Sequence, residues 1–232
     1  MALALVVPLD YEKDEEGYVK IQAIPVLLTS IDYKEARVRY NANFFPKAVA
    51  DRYFRELCAL EEHASHEKNP FTGKDVKRKT LQFADKGVRA YKYSSAGAVS
   101  TLRWEHTRCL QEMRDTIHLA TGERPNFCLV NFYAPDAQLG YHADDEDDME
   151  PLSIVASVSL GTVRRFKMRD KEIAGYKMAF IEEYNMWTFM LAHGSLLTME
   201  GKCQSVLEHS IPPMKCEGLR VNCTFRRMKS AE

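Results

Sequence analysis

At 232 residues the chain is long enough to bury one sizeable core and short enough to form a single domain. Hydrophobic content of 45% and charged content of 28% exclude a disordered or membrane-embedded chain. A formal net charge of −1 excludes a uniformly basic nucleic-acid binder, so any phosphate binding must come from local clusters. The cysteines (Cys58, Cys109, Cys128, Cys203, Cys216 and Cys223) show no C-x-x-C spacing. Met1–Leu9 is apolar but lacks a basic start and is cut short by Pro8 and Asp10. It reads as neither a signal peptide nor a membrane span, so an intracellular chain with reduced thiols is expected.

In chain order, residues 1–40 hold short apolar runs around the acidic turn Asp14-Glu15-Glu16-Gly17 and are set apart as an N-terminal extension of unassigned role. A helix is expected from Pro46, with Asn43 as a cap and Val49, Tyr53, Leu57 and Leu60 at helical spacing. His63 and His66 at its end read as solvated. A basic segment follows (Lys74, Lys77, Arg78, Lys79, Lys86, Arg89, Lys92), then a second helix over 101–120 closed by Gly122, its apolar face formed by Leu102, Cys109, Leu110, Met113 and Ile117. Beyond it every apolar run has the length and alternation of a strand: 127–133, 152–160, 162–169, 177–181, 185–191, 195–199, 206–211 and 219–227. A second basic stretch comprises Arg164, Arg165, Lys167, Arg169 and Lys171. Two helices followed by eight short strands predict an α+β fold, a double-sheet jelly roll with helices packed on one face.

Three separated pieces carry chemistry. His142-Ala143-Asp144 places a histidine and a carboxylate on one side of an extended segment, and His209 sits on a later apolar run. Two histidines and a carboxylate with open positions form the facial triad of non-haem Fe(II) oxygenases. On the last strand Arg220, Asn222, Thr224 and Arg226 share one face while Leu219, Val221, Cys223 and Phe225 share the other. Buried guanidiniums need anionic partners, and 2-oxoglutarate, with a carboxylate at each end, satisfies both. Asn131 and Tyr133 add a second polar pair on the strand 127–133. Trp104 and Trp187 fall within apolar patterns and read as core.

Asn131-Phe-Tyr133, His142-Ala-Asp144-Asp145-Glu146, Ile154–Gly161, Leu191-Ala-His-Gly-Ser-Leu-Leu197 and Arg220-Val-Asn-Cys-Thr-Phe-Arg226 together resemble the AlkB family of nucleic-acid demethylases, in particular its eukaryotic DNA-repair branch. The resemblance spans about Phe71 to Arg227. It implies a double-stranded β-helix, with a single dioxygenase domain over 41–232 that contains a nucleotide-recognition segment at 67–100 and a catalytic jelly roll at 126–228. It implies Fe(II) on His142, Asp144 and His209, with 2-oxoglutarate and O₂ as cosubstrates. Arg220 and Tyr133 would hold the distal carboxylate of 2-oxoglutarate, Arg226 and Asn131 the end near iron, and Asn222 would support both. The family chemistry generates a ferryl oxidant and releases succinate and CO₂. It hydroxylates an N-methyl group on a base, which departs as formaldehyde.

For the substrate the resemblance implies alkylated DNA carrying 1-methyladenine or 3-methylcytosine, with RNA as a further candidate. A base must leave the stack to be reached. Tyr93, with Tyr91 two residues earlier, would stack on it, and Glu146 and Asp145 would face its exocyclic nitrogen. Phe71 would wedge into the gap in a duplex, the competing reading being that it caps the core under a loop. Arg78 and Lys79 would grip phosphates, the competing reading being solvated strand edges. His193 matches a family position that is not an iron ligand and reads as structural. A monomeric nuclear repair enzyme with no membrane association is expected. The alternatives are an RNA demethylase, or a 2-oxoglutarate oxygenase acting on protein on the same fold.

Overall fold

The computed structural model describes residues 4–13, 19–27, 29–68, 73, 75–88, 101–104, 107–172 and 186–230. Its elements are β1 (Ala4–Lys13), β2 (Val19–Leu27), β3 (Thr29–Tyr33), β4 (Ala36–Asn41), α1 (Lys47–Cys58), β5 (Ser65–Lys68), β6 (Asp75–Ala84), β7 (Thr101–Arg103) and α2 (Arg108–Thr121). They continue with β8 (Phe127–Tyr133), β9 (Leu139–His142), β10 (Val155–Gly161), β11 (Arg164–Asp170), β12 (Met186–Leu191), β13 (Ser195–Gly201), α3 (Cys203–Val206), β14 (Leu207–Ile211) and β15 (Arg220–Arg226).

A large sheet runs in the order β3-β4-β13-β10-β15-β8-β6-β5, with β7 parallel to β6. A smaller sheet, β12-β11-β14-β9, faces it, and β1 and β2 form a separate hairpin. The double-sheet jelly roll with helices is the expected α+β architecture. Its first contribution comes earlier than the sequence suggests. Residues 29–41, mostly assigned to an extension, supply two strands of the large sheet, with Val38 opposite Met199 on β13 and buried in the core.

The two helices bury their apolar stripes on one face of this sheet. Val49, Ala50, Tyr53 and Leu57 of α1 and Cys109, Leu110, Met113 and Ile117 of α2 meet Leu81, Phe83, Val130, Phe132, Val158, Val221, Cys223 and Phe225. Trp104 stacks on Phe225 at 6.1 Å within the same core. A second core fills part of the space between the sheets, with Val38, Val155, Phe166, Met168, Phe189, Leu197 and Ile211 among its members. All six cysteines are free.

Two helix starts differ from expectation. Asn43 does not cap α1: its backbone N–H is taken by the Asn41 side chain, and Pro46 occupies the cap, its carbonyl accepting from Val49 and Ala50. Proline suits that place because its missing N–H is not needed in the first turn. The second helix begins at Arg108, not at 101. Thr101–Arg103 instead hydrogen-bonds along β6, where a sheet edge offers partners that three isolated helical residues lack. Gly122 ends α2 in the left-handed region at φ 78° and donates to His118 O, as its place after the apolar stripe indicates. The strand expected at 177–181 lies outside the described residues.

Candidate active site

The cavity between the sheets is built by strand register. Arg220 stands opposite Tyr133, Asn222 opposite Asn131 and Thr224 opposite Leu129 across β15 and β8. β6 adds Arg78 opposite Tyr133 and Thr80 opposite Asn131, while β10 adds Ser159 opposite Asn222 and Ser157 opposite Thr224. Directly paired residues project to the same side of a sheet. The paired residues of β10, β15, β8 and β6 therefore line a single polar wall. Leu129, Leu139, Phe166, Met199 and Ile211 close the remainder.

The small sheet presents the candidate iron ligands from the opposite side. His209 on β14 pairs with His142 at the end of β9, and their rings lie 4.2 Å apart. Asp144 follows two residues after the strand has ended, its backbone N–H donating to Gln204 Oε1 at 2.9 Å. Its carboxylate oxygens lie 3.9 Å from the Nε2 atoms of both His142 and His209. One ligand atom from each of the three lies within 4.8 Å of the others. The alternation expected for His142 and Asp144 thus holds in effect, although a turn and not a strand brings the carboxylate round.

Protonation in this cluster suits a divalent metal. Burial pushes the Asp144 carboxyl up, but Arg226, the imidazoles of His209 and His142, and Arg78 outweigh it and hold it at about 2. Burial pushes His209 down, His142 adds to this, and Asp144 opposes it, leaving about 3. The imidazole is therefore neutral and offers a lone pair. His142 Nδ1 sits 2.9 Å from Gly140 O, so that nitrogen carries the proton and Nε2 is free to ligate. Phe166 stacks on His209 at 5.2 Å and fixes its ring.

The two arginines of β15 are 2% and 1% exposed. Arg220 Nη2 donates to Ser159 Oγ at 2.9 Å, and the guanidinium lies 4.9 Å from the Tyr133 ring centre. Among the described residues its Nε and Nη1 have no hydrogen-bond acceptor. Buried donors left this way are costly, and a carboxylate in the cavity would take them in a bidentate fork. The donor set fits 2-oxoglutarate at that end. Arg226 is held differently, with Nη1 donating to Glu146 Oε2 at 3.0 Å and Nη2 3.6 Å from Asp144 Oδ1. Asn222 Nδ2 donates to Ser157 Oγ and Val158 O, which secures it to β10, while Asn131 Oδ1 has no partner among the described residues.

A model of the 2OG-Fe(II) oxygenase superfamily matches residues 37–226. The chain belongs to that superfamily. It is 36% identical to the DNA oxidative demethylase ALKBH2 of Mus musculus, over 79% of this chain and 77% of that one. It is 34% identical to the Homo sapiens ALKBH2, over 79% and 70%. Identity to the alpha-ketoglutarate-dependent dioxygenase alkB homolog 3 of Rattus norvegicus is 32%, over 60% and 49%. These relatives put the oxygenase in the AlkB branch. The solved structure of OsALKBH1 superimposes with a TM-score of 0.54 at 15% identity, covering 86% of this chain and 99% of that one, a likeness of fold. Fe(II), 2-oxoglutarate and O₂ are the oxygenase's cofactor and cosubstrates.

Among the described residues expected to touch nucleic acid, Arg78, Lys79 and Asp145 take other places. Arg78 is 3% exposed and lines the cavity, 5.9 Å from the Tyr133 ring centre, so it cannot grip a phosphate from the surface. Period-two alternation sends Lys79 to the other face of β6, where it pairs with Glu61 at 3.1 Å. Asp145 is exposed and pairs with Lys171 at 3.2 Å. Phe71, Tyr91 and Tyr93 lie outside the described residues. His193 is structural: its Nδ1 accepts the Gly161 N–H at 2.8 Å and its Nε2 lies 3.0 Å from Asp51 of α1. Sequence reasoning missed Gln204, for which the chain carries no signal. It also missed the strand β6, whose alternation of Val76, Arg78, Thr80 and Gln82 with Leu81 and Phe83 was hidden by its lysines.

Proposed function

We propose that the oxygenase oxidatively demethylates N-alkylated bases in DNA, with 1-methyladenine and 3-methylcytosine as its lesions, releasing formaldehyde, succinate and CO₂. The observation that carries the reading is the juxtaposition of a His142–Asp144–His209 group with a buried Arg220 whose Nε and Nη1 donors await a carboxylate. ALKBH2 relatives named as DNA oxidative demethylases support the choice of DNA.

Bound Fe(II), with 2-oxoglutarate and O₂, supplies the oxidising power to hydroxylate a methyl C–H bond, which has neither an acidic proton nor a leaving group. The chain's own residues prepare the site for this. The ionised Asp144, the neutral imidazole of His209 and the imidazole of His142 would supply three donors to the metal. Arg220, with Tyr133, takes the distal carboxylate of the cosubstrate, while Asn131, with its unpartnered Oδ1, lies on the wall between. Arg226 ties Asp144 to Glu146, so the ligand and the acidic loop move as one unit. Leu129, Phe166 and Ile211 exclude water from the interior. Glu146, at the solvent-facing end of this chain, faces the exocyclic nitrogen of the base. Tyr93 and Tyr91 stack on it, and Phe71 fills the gap it leaves in a duplex. The protein works as a monomer in the nucleus. No helix among the described residues is long and apolar enough to cross a membrane.

The test is mass spectrometry of methylated oligonucleotides after incubation with iron, 2-oxoglutarate and ascorbate. Loss of one methyl group per lesion with equimolar succinate is expected. Succinate formation that leaves 1-methyladenine and 3-methylcytosine in DNA untouched would move the reading to RNA or protein substrates.

A further inference from the structure

A strand ladder sets two of the three candidate ligands, but not the third. His142 and His209 pair across β9 and β14, whereas Asp144 lies beyond the last paired residue of β9. A side chain holds its backbone instead. Gln204 on α3 is 8% exposed, and its Oε1 accepts the Asp144 N–H at 2.9 Å. The other end of the amide is engaged as well, with Nε2 donating to Met199 Sδ at 3.6 Å. That contact orients the amide, because its NH₂ must point at an acceptor and its oxygen at a donor.

The place of Gln204 in the chain gives the bond its meaning. α3 leads directly into β14, so Gln204 and the ligand His209 stand five residues apart on one short segment. The chain from His142 to Asp144 is thus fastened to that segment twice, by the His142–His209 pairing and by the Gln204–Asp144 bond. Lys171 adds a tie to the same turn, its Nζ donating to Gln204 O at 2.8 Å and to Asp145 Oδ2 at 3.2 Å. α3 is itself anchored: Cys203 is buried in the core between the sheets, and the Lys202 N–H donates to Glu35 O at 3.1 Å. Asp144 is buried too. Without the Gln204 oxygen its N–H would lose its acceptor in the interior, a cost the turn could escape only by moving.

We propose that Gln204 is a positioning residue for the metal: by holding the Asp144 backbone against the segment that carries His209, it sets how tightly the three-ligand group binds a divalent cation. The inference rests on the reading of His142, Asp144 and His209 as the iron site. Gln204 acts through the Asp144 backbone and not through the carboxylate. Groups that orient a metal ligand from behind are worth about tenfold to a hundredfold in metal affinity.

The test is Mn(II) binding to the metal-free protein, measured by calorimetry, with the Tm of the metal-free protein as a second readout. Gln204→Leu keeps a side chain of similar volume and removes the acceptor. It should bind Mn(II) about tenfold to a hundredfold more weakly. Cys203→Ala loosens the packing of the same helical turn and leaves the acceptor in place, so it should lower Tm and keep wild-type Mn(II) affinity. Wild-type affinity in Gln204→Leu would overturn the inference while leaving the iron site in place. An equal loss of affinity in Cys203→Ala would overturn it too, since the effect would then be a general loosening of α3. A wild-type protein that binds no Mn(II) would overturn the reading of the iron site itself. If Gln204→Leu does not fold, Gln204→Asn decides, because it keeps the amide but draws its oxygen back by one methylene. Weaker Mn(II) binding than in Cys203→Ala supports the positioning role, and equal binding overturns it.

Discussion

On one face of the large sheet Val221, Cys223 and Phe225 pack beneath the helices; on the other, Arg220, Asn222, Thr224 and Arg226 line the cavity. Both faces of β15 are excluded from water, yet they spend their burial differently. The apolar face removes hydrocarbon from solvent and so holds the fold together. The polar face desolvates charge and amide groups, and among the described residues Arg226 finds carboxylate partners while Arg220 does not. A fold that needed only stability would place hydrocarbon on both sides, since buried ionic groups rarely stabilise more than well-packed apolar ones. The polar side therefore marks a site whose missing partners are ligands.

Substitutions on the two faces should separate accordingly. The largest effect belongs to the metal group: Asp144→Ala should abolish formaldehyde and succinate formation while the circular dichroism spectrum stays folded, and retained turnover would remove Asp144 from the iron site. Next comes the apolar face, where Phe225→Ala removes the ring stacked on Trp104 and should lower unfolding free energy by about 3–5 kcal/mol in denaturant titration. The folded fraction should keep a wild-type KM for 2-oxoglutarate. Arg220→Lys keeps the charge but loses the planar fork, so KM for 2-oxoglutarate should rise by the equivalent of about 1.5–3 kcal/mol with little change in Tm. A falling Tm with constant KM would assign Arg220 to the scaffold instead. Smallest is Lys79→Ala, which breaks a partly exposed pair with Glu61 and should change stability by at most about 1 kcal/mol. Unchanged salt dependence of DNA binding in that variant would confirm that Lys79 faces away from the cavity and the nucleic acid.

The positions of the candidate iron ligands and of the β15 arginines were legible because each reports a local constraint. The spacing of His142 and Asp144 and the alternation of β15 are short-range patterns that survive any long-range arrangement. The same alternation existed in β6 but was obscured, since Lys77, Arg78 and Lys79 read as one basic run when only every second one is buried. Charge composition cannot tell which side of a strand faces inward. Register against β8 can, and it sends Arg78 into the cavity beside Tyr133 and Lys79 to Glu61. The early start assigned to α2 failed for a related reason: the apolar spacing of Leu102 fits a helix, but the open edge of β6 satisfies its backbone instead.

The sequence by itself pointed to the reaction chemistry, because His142-x-Asp144, a later His209 and an arginine-bearing last strand occur together and in that order. It also determined which side of β15 is polar, since period two is built into an extended backbone. Tertiary structure alone decided what those groups meet. It paired β14 with β9 so that His209 reaches His142, turned the chain after β9 so that Asp144 joins them, and set Arg226 between Asp144 and Glu146. Such encounters depend on strand register and sheet packing, which are properties of the whole fold and leave no mark in any short stretch of residues.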